Sequence, residues 1–265
     1  MTETSLAGAQ RTWYERVPLE VHGHRKKLDF VLSAVEAFRA SRHRAPADVS
    51  IIEIGCSNGR ILSLPLAERG FRVTGVDLHR PSIDRATADN TFPHARFICR
   101  NAESFMTVES FDVVILSDIL EHVPDPLGLL KMARGLLAAG GIILISIPNG
   151  YGPAELERRF AERTRLDRVL AAARSAINRV RGRNRVAYND DSGHVQAFRM
   201  HEMERLIEQA GLRLDERRKG ALFGGALTYP VGSLLPPVVR ASLRLADRLP
   251  FAWVSTWYFR CSERS

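Results

Sequence analysis

The sequence contains little cysteine and no long apolar run. Its three cysteines, Cys56, Cys99 and Cys261, are odd in number and form no Cys-x-x-Cys pair, so we expect reduced thiols. No stretch of about 18 consecutive apolar residues occurs, so no segment is expected to span a bilayer. The first residues lack a basic region followed by an apolar run, so no signal peptide is expected. Together these absences predict a cytoplasmic location.

The overall charge is basic and the length suits one domain. The chain has 265 residues, of which 45% are hydrophobic, and a net charge of +8. This size favours a single α/β domain with insertions over two full domains. A basic balance favours an anionic partner, such as nucleic acid, an acidic lipid surface at the inner face of the membrane, or a phosphorylated substrate. A solvated basic face is the alternative.

The stretch from Ile51 to Gly59 has the pattern of a buried strand that runs into a glycine-rich turn. Gly55 and Gly59 permit backbone conformations closed to other residues and let a ligand approach the main chain. The next apolar run ends in the carboxylate of Asp77. A carboxylate at this place, beside a glycine loop, is where open α/β sheets hold a ribose.

The glycine spacing argues against two common nucleotide fingerprints. Ser57 and Arg60 stand where the dinucleotide pattern G-x-G-x-x-G requires its second and third glycines. The Lys-Ser/Thr pair of a phosphate-binding P-loop is also missing from this turn. These substitutions weigh against a dehydrogenase.

Apolar runs and helical periodicities alternate along the chain. This rhythm predicts a doubly wound, mostly parallel sheet with helices on both faces. The last strand is expected to be antiparallel. Helices are predicted at 24–40, from 81, at 126–138 with Gly140-Gly141 as the C-cap, and at 200–210; strands at 51–54, 71–77, 95–100, 111–116, 142–147, from 212, and at 254–260.

Two segments depart from this rhythm. Residues 155–185 hold ten Arg against four acidic residues and show helical periodicity, which suits a cap over the active site, phosphate binding, a membrane surface or a solvated helix. Residues 221–253 are apolar and rich in Pro. They suit a pocket wall for an apolar substrate, a membrane or dimer surface, or packing against the sheet.

The ordered set Glu53, Gly55, Gly59 and Asp77, with the pattern E-x-G-x-x-x-G followed by V-D, resembles the class I S-adenosylmethionine-dependent methyltransferases. The resemblance covers residues 51–149 well and extends more weakly to 214. It implies a Rossmann-like, seven-stranded sheet with helical and apolar cap insertions. The domain layout we expect is a cover segment at 1–45 and one methyltransferase domain at 46–265, with cap insertions at about 151–200 and 221–253.

The resemblance also implies a role for each part of the motif. Glu53 would hold the ammonium end of the cofactor, Asp77 would accept hydrogen bonds from both ribose hydroxyls, and Leu78 would pack on the adenine. The glycine-turn contacts would come from Gly55, Cys56, Ser57, Asn58 and Gly59, the adenine-edge contacts from Asn101, Ala102 and Glu103, and the methyl-end contacts from Ser117 and Asp118. Asn101 departs from the Asp that the family usually has there.

The segment from Ser117 to Pro126 resembles the segment after the fourth strand in methyltransferases that act on quinones, glycans and lipids. It implies O-methylation of a small-molecule, glycan or lipid-linked acceptor, which requires a base for the hydroxyl. Histidine is the natural base near neutral pH, so His122 is the first candidate and His194 the second. Alternatively, His122 only braces the loop.

Asp118, Glu121 and His122 form an acid-x-x-acid-His pattern on which His194 could converge. The pattern resembles the divalent-metal site of small-RNA 2′-O-methyltransferases and of ubiquinone-type O-methyltransferases. However, Asp118 is shorter than the Glu usual in those families, and the segment also occurs in relatives thought to lack metal, so a metal is disfavoured. Two rival functions stay open: an RNA methyltransferase that uses the Arg-rich segment, and a non-catalytic binding module that keeps the fold.

Overall fold

The computed structural model describes residues 11–19, 23–105, 107–166, 195–225, 228 and 236–264. Seven strands in these ranges form one sheet in the order β3-β2-β1-β4-β5-β7-β6. Neighbouring strands are parallel except β7, which is antiparallel to β5 and β6. This confirms the predicted fold class. The strands are β1 Ser50–Ile54, β2 Arg72–Asp77, β3 Ala95–Cys99, β4 Phe111–Ser117, β5 Leu137–Pro148, β6 Leu212–Lys219 and β7 Thr256–Glu263.

The two central strands are apolar because both of their faces are covered. Ile51, Ile52 and Ile54 of β1 are fully buried, and so are residues 113–116 of β4. Near-continuous apolar runs of this kind are typical of parallel strands between two helical layers. The strand order reverses between β1 and β4. Open α/β sheets bind ligands beyond the carboxyl ends of the strands at such a switch point.

Helices pack on both faces of the sheet. The predicted helix at 24–40 forms with those bounds, and its apolar face, including Leu28 and Val31, packs in one core layer with Ile51 and Tyr258. The helices at Pro126–Gly135 and Met200–Gln209 contribute to the other layer. The helices are α1 Trp13–Arg16, α2 His24–Ala40, α3 Ser63–Glu68, α4 Arg80–Asp89, α5 Pro126–Gly135, α6 Pro153–Arg163, α7 Met200–Gln209 and α8 Pro236–Arg248.

The predicted end of α5 is wrong. The helix stops at Gly135, and β5 begins two residues later at Leu137. The pairing with β4 jumps from Phe111–Leu137 to Val113–Ile142, so the glycine pair at 140–141 lies within a bulge of β5. Gly140 has φ +71°, a conformation that suits a bulge as well as a helix cap.

The two predicted insertions are described in part. Helix α6 begins the first one, and residues 167–194, which carry most of the Arg-rich segment, lie outside the described residues. The second contains a helix that we did not predict, α8, whose Val239, Leu243 and Ala246 are buried. Within the described ranges, no helix is both long and apolar enough to cross a membrane. The predicted domain layout stays a prediction.

Candidate functional site

The glycine turn connects β1 to α3 at the carboxyl edge of the sheet. Gly55, Ser57 and Gly59 have φ values of +80°, +49° and +68°. The amides of Gly55 and Cys56 both donate to the carbonyl of Val76, at 2.8 and 3.0 Å, which ties the turn to the end of β2. A non-glycine residue at positive φ, such as Ser57, is uncommon and concentrates at functional sites.

Asp77 lies at the end of β2 and faces this turn. Its Oδ2 accepts from the amide of Ser57 at 2.7 Å, and its Oδ1 accepts from the amide of His79 at 2.8 Å. An ionised carboxylate offers about four lone-pair positions, so both oxygens retain acceptor capacity for hydroxyl groups. The neighbouring Leu78 is 62% exposed, which leaves an apolar surface beside the carboxylate.

Glu53 is a buried acid directly inside the turn. It is only 4% exposed and accepts a hydrogen bond from the hydroxyl of Ser63. Burial raises its pKa to about 7, against the opposing effects of Ser63 and the positive charge of Lys27. Burial likewise raises the pKa of the Cys56 thiol. Glu53 can therefore ionise near neutral pH in response to a nearby cation.

Two further predicted residues stabilise loops at this edge. Asn58 is buried, and its side-chain oxygen accepts from the amide of Arg60 at 3.3 Å. The side-chain oxygen of Asn101 accepts from the amide of Glu103 at 3.0 Å and so caps the short turn at 102–104. Ala102 is buried in the core.

The segment after β4 forms the second half of the site. Asp118 has φ +50°, and its amide donates to the carbonyl of Ser146 at 2.8 Å. Its Oδ1 accepts from the hydroxyl of Ser146 at 2.6 Å, and its other oxygen forms an ion pair with Lys27. Burial raises the pKa of Asp118, yet the opposing effects of the Lys27 ammonium, the Ser146 hydroxyl and His24 together hold it below its usual value.

Glu121 and His122 follow in the turn at 120–122. Glu121 is 2% exposed, and burial, together with the charge of Asp118, raises the pKa of its carboxyl well above the usual value. The Nε2 atom of His122 lies 3.8 Å from Glu121 Oε1, and a quarter of the imidazole is exposed. The partly exposed ring therefore lies beside a carboxyl group for which the protonated, uncharged form is favoured.

Residues 195–196 tie down the same turn. The amides of Val195 and Gln196 donate to the carbonyl of Glu121 at 3.0 and 3.2 Å. The side-chain amide of Gln196 donates to the carbonyls of Val123 and Pro124 at 2.8 and 3.1 Å. His194, the second candidate base, lies outside the described residues.

The structure brings the predicted motifs to one edge of the sheet. Ile54 of β1 pairs with Val76 of β2 on one side and with Leu116 of β4 on the other. The glycine turn, Asp77 and Asp118 all follow these three adjacent strand ends. Sequence reasoning missed Lys27, although a signal existed: it occupies the apolar face of α2, at helical spacing from the buried residues Phe30, Val31 and Ala34.

Comparison with known proteins identifies the family. A family model described as a methyltransferase domain matches residues 22–217, which is most of the chain. The chain therefore belongs to this family. It has the fold of the class I S-adenosylmethionine-dependent methyltransferases, as the sequence motifs predicted.

The curated relatives are matched over part of their length. The ubiquinone biosynthesis O-methyltransferase of Idiomarina loihiensis is 38% identical over 103 residues, which cover 37% of this chain and 42% of that protein. The chain spans less than half the length of the curated relatives with which it aligns first.

Solved structures show the fold over nearly the whole chain. The magnesium protoporphyrin IX methyltransferase of Synechocystis, with bound S-adenosylhomocysteine, covers 98% of this chain and 90% of its own at a TM-score of 0.53 and 12% identity. The N-methyltransferase NodS of Bradyrhizobium japonicum, with the same ligand, covers 98% of this chain and 95% of its own. Its TM-score is 0.54 and its sequence identity is 17%. Such distant likeness fixes the fold and leaves the methylated atom open.

Proposed function

We propose that this methyltransferase-family chain transfers the methyl group of S-adenosylmethionine to an oxygen of a small-molecule, glycan or lipid-linked acceptor. The observation that carries the proposal is the convergence of two motifs on one sheet edge: the glycine turn with Asp77, and the segment Asp118–His122. The names of the curated relatives favour oxygen as the methylated atom. When bound, the cofactor supplies an electrophilic methyl group.

The residues after β1 and β2 fit the cofactor. Asp77 is fixed by the amides of Ser57 and His79, and we assign its remaining acceptor capacity to the ribose hydroxyls. Exposed Leu78 would cover one face of the adenine. Glu53, with a pKa of about 7, would ionise as it receives the ammonium group. The turn around Gly55, Cys56, Asn58 and Gly59 would follow the methionine portion.

The remaining assignments concern the far ends of the cofactor. Asn101 and Ala102 follow β3 and would meet the edge of the adenine. Ser117 and Asp118 end β4 and would lie at the sulfonium. Asp118 holds a strained backbone conformation at φ +50°, and such conformations persist where surrounding contacts enforce them. Here those contacts come from Ser146 and Lys27.

We assign the proton acceptor for the substrate hydroxyl to His122. Its ring follows β4 and is partly exposed. The carboxyl of the adjoining Glu121 is buried, which favours the uncharged form of that carboxyl. A neutral imidazole offers a ring nitrogen whose lone pair can accept the proton. His194 is a second candidate for this role.

The test begins with calorimetric titration of S-adenosylmethionine into wild-type protein, Asp77→Asn and Asp84→Asn. Asp77→Asn loses a charged acceptor, and each lost charged hydrogen bond costs about 1.5–3 kcal/mol, so we expect affinity to fall by roughly 10- to 100-fold. Asp84 is exposed on α4 with only a 3.9 Å ion pair to Arg80, so its variant should bind like wild type. NAD should not bind.

The second step measures S-adenosylhomocysteine formation with a panel of hydroxylated aromatics, glycosides and matched amines. His122→Gln should lower kcat by about 10²–10⁴-fold while S-adenosylmethionine affinity stays within threefold. Turnover of the amines alone would overturn the assignment to oxygen. Failure of the folded wild-type protein to bind S-adenosylmethionine would overturn the enzymatic proposal and favour the binding module.

The RNA alternative gains no support from the described residues. Helix α6 begins the Arg-rich segment, yet it carries three Arg and three Glu. Arg158 and Arg159 both pair with the buried Glu155, and Arg158 also pairs with Glu162. With three Arg matched by three Glu, α6 has no net positive charge to attract phosphates. The excess of Arg lies at 165–185.

A further inference from the structure

Lys27 is a lysine buried between α2 and the end of β4. It is 4% exposed, and lysine is almost never buried to this extent unless it is paired. Its Nζ donates to the carboxylate of Asp118 and, at 3.1 Å, to the hydroxyl of Ser117. Its positive charge also opposes the rise in the pKa values of Glu53 and Glu121. One ammonium group thus acts on all three acids.

The position of Lys27 is fixed by the first turn of α2. Its amide donates to the carbonyl of Gly23 at 2.8 Å, and that same carbonyl accepts from the buried Tyr258 hydroxyl at 3.5 Å. The preceding Lys26 donates to the carbonyls of Gly220 and Leu243, at 3.0 and 3.1 Å. Helix α2 is therefore anchored to β7 and to α8, and the ammonium is held in place from outside the site.

The acids at this position do not fit a divalent metal ion. One oxygen of Asp118 accepts from Ser146 and the other is paired with Lys27. Among the described residues, no group of three His, Cys, Asp or Glu side chains could hold a metal ion. Asp118 already has a cation beside it, the ammonium of Lys27.

We propose that Lys27 is the built-in cation of the site after β4, with its ammonium occupying the place beside Asp118 that a divalent metal would need. Lys27 is a positioning residue: it fixes the Asp118 carboxylate and the loop that leads to Glu121 and His122. The consequence for catalysis rests on the proposed function. Deprotonation of the acceptor then depends on a side-chain base, with no contribution from a metal.

The experiment measures Mn²⁺ binding to the full chain after treatment with chelator. Thermal midpoints are recorded with and without 1 mM MnCl₂, and bound Mn²⁺ is counted by electron paramagnetic resonance. We expect no shift for the wild type. In Lys27→Met the Asp118 carboxylate loses its counter-ion, so the midpoint should fall by about 2–8 °C. MnCl₂ should not restore it, because the described residues offer no group of three metal ligands. Lys131→Met, at an exposed position of α5, should behave like wild type.

Two more variants keep the test decisive. Lys27→Arg retains the charge and should ignore Mn²⁺. Lys27→Met combined with Asp118→Asn removes both charges, so it should fold and also ignore Mn²⁺. The proposal is overturned by stoichiometric Mn²⁺ binding to the wild type that Asp118→Asn abolishes, or by a Lys27→Met variant whose thermal midpoint equals that of the wild type.

The Mn²⁺ readout requires neither cofactor nor acceptor. Its failure is therefore distinguishable from failure of the proposed function, which the S-adenosylmethionine titration tests. A buried ammonium also has its own signature. The Lys27 ammonium should give a proton–nitrogen signal protected from solvent exchange, absent in Lys27→Met and retained in Lys131→Met. Absence of any such signal in the wild type would contradict the burial and pairing on which the proposal depends.

Discussion

Replacing Gly59 with alanine should destabilise the protein through two separable effects. The first is conformational, because Gly59 has φ +68°, and a residue with a Cβ pays about 1–2 kcal/mol there. The second is steric: a Cβ would lie 2.7 Å from Cε1 and 2.9 Å from Cζ of Phe97. Overpacking of this kind costs about 1–3 kcal/mol. We therefore expect a total loss of about 2–5 kcal/mol.

Two other glycines isolate the two effects. Gly70 also has a positive φ, +88°, but among the described residues a Cβ there would meet only Pro46, at an ordinary 3.6 Å. Gly70→Ala should thus show the conformational cost alone. Gly75 lies in β2 without a positive φ, and its Cβ would lie 2.6 Å from Phe97 Cδ1 and 2.8 Å from the sulfur of Cys56. Gly75→Ala should show the steric cost.

The assay is chemical denaturation of each variant at pH 7 without cofactor. Gly59→Ala should lose about as much stability as Gly70→Ala and Gly75→Ala together. Combining Gly59→Ala with Phe97→Leu should recover part of the loss, since residues in contact couple by about 0.5–3 kcal/mol. If Gly59→Ala costs no more than Gly70→Ala, or if Phe97→Leu recovers nothing, the proposed contact with the ring is not what restricts position 59.

Two remaining predictions concern pH. Glu53 has a folded-state pKa of about 7 against 4.5 in the unfolded chain. Between these values the folded protein keeps a proton that the unfolded chain has lost, so the free energy of unfolding should fall by about 3 kcal/mol as pH rises from about 4.5 to 7. Denaturation of Glu53→Gln should lack this fall, and a parallel loss in both proteins would contradict the assignment. Asp112 behaves oppositely: Arg44 and Ser50 outweigh burial and lower its pKa below 3.8, so its contribution is lost only in stronger acid. Arg44→Met should therefore raise the pH at which half of the protein is unfolded by acid, as followed by circular dichroism. An unchanged midpoint pH would show that the pair of Arg44 and Asp112 contributes nothing to stability in acid.

The sheet and the glycine turn were predictable because short spacings encode them. Buried parallel strands require continuous apolar runs, and the run from Ile51 to Ile54 is one of them. The positive φ at Gly55 and Gly59 favours glycine, so the turn is visible in the residues themselves. The fold and the family are confirmed, whereas the roles of the site residues stay predictions. The end of α5 was missed because Gly140 suits both a helix cap and a strand bulge.

The segment after β4 was less predictable because distant contacts build it. Lys27 and Asp118 are separated by 91 positions, and no local spacing relates a lysine on α2 to a carboxylate after β4. Likewise, Gln196 reaches Val123 across 73 positions. These contacts depend on how the helices pack on the sheet. The most useful local signal was the presence of Lys27 among apolar positions of its helix, which predicts burial and hence a partner.

The carboxyl groups of Asp118 and Glu53 differ in how their negative charges are compensated, and the difference follows from solvation. Asp118 stays ionised beside its own ammonium, so this end keeps a compensated pair whether or not a ligand is bound. Glu53 accepts hydrogen bonds from Ser63 and lies within the influence of the Lys27 charge, yet burial raises its pKa to about 7. A cation placed beside Glu53 would favour its ionised form. A cofactor ammonium would be such a cation at Glu53, whereas at Asp118 a second cation would have to displace Lys27. The same sheet edge can therefore accept a cation beside β1 and exclude one beside β4.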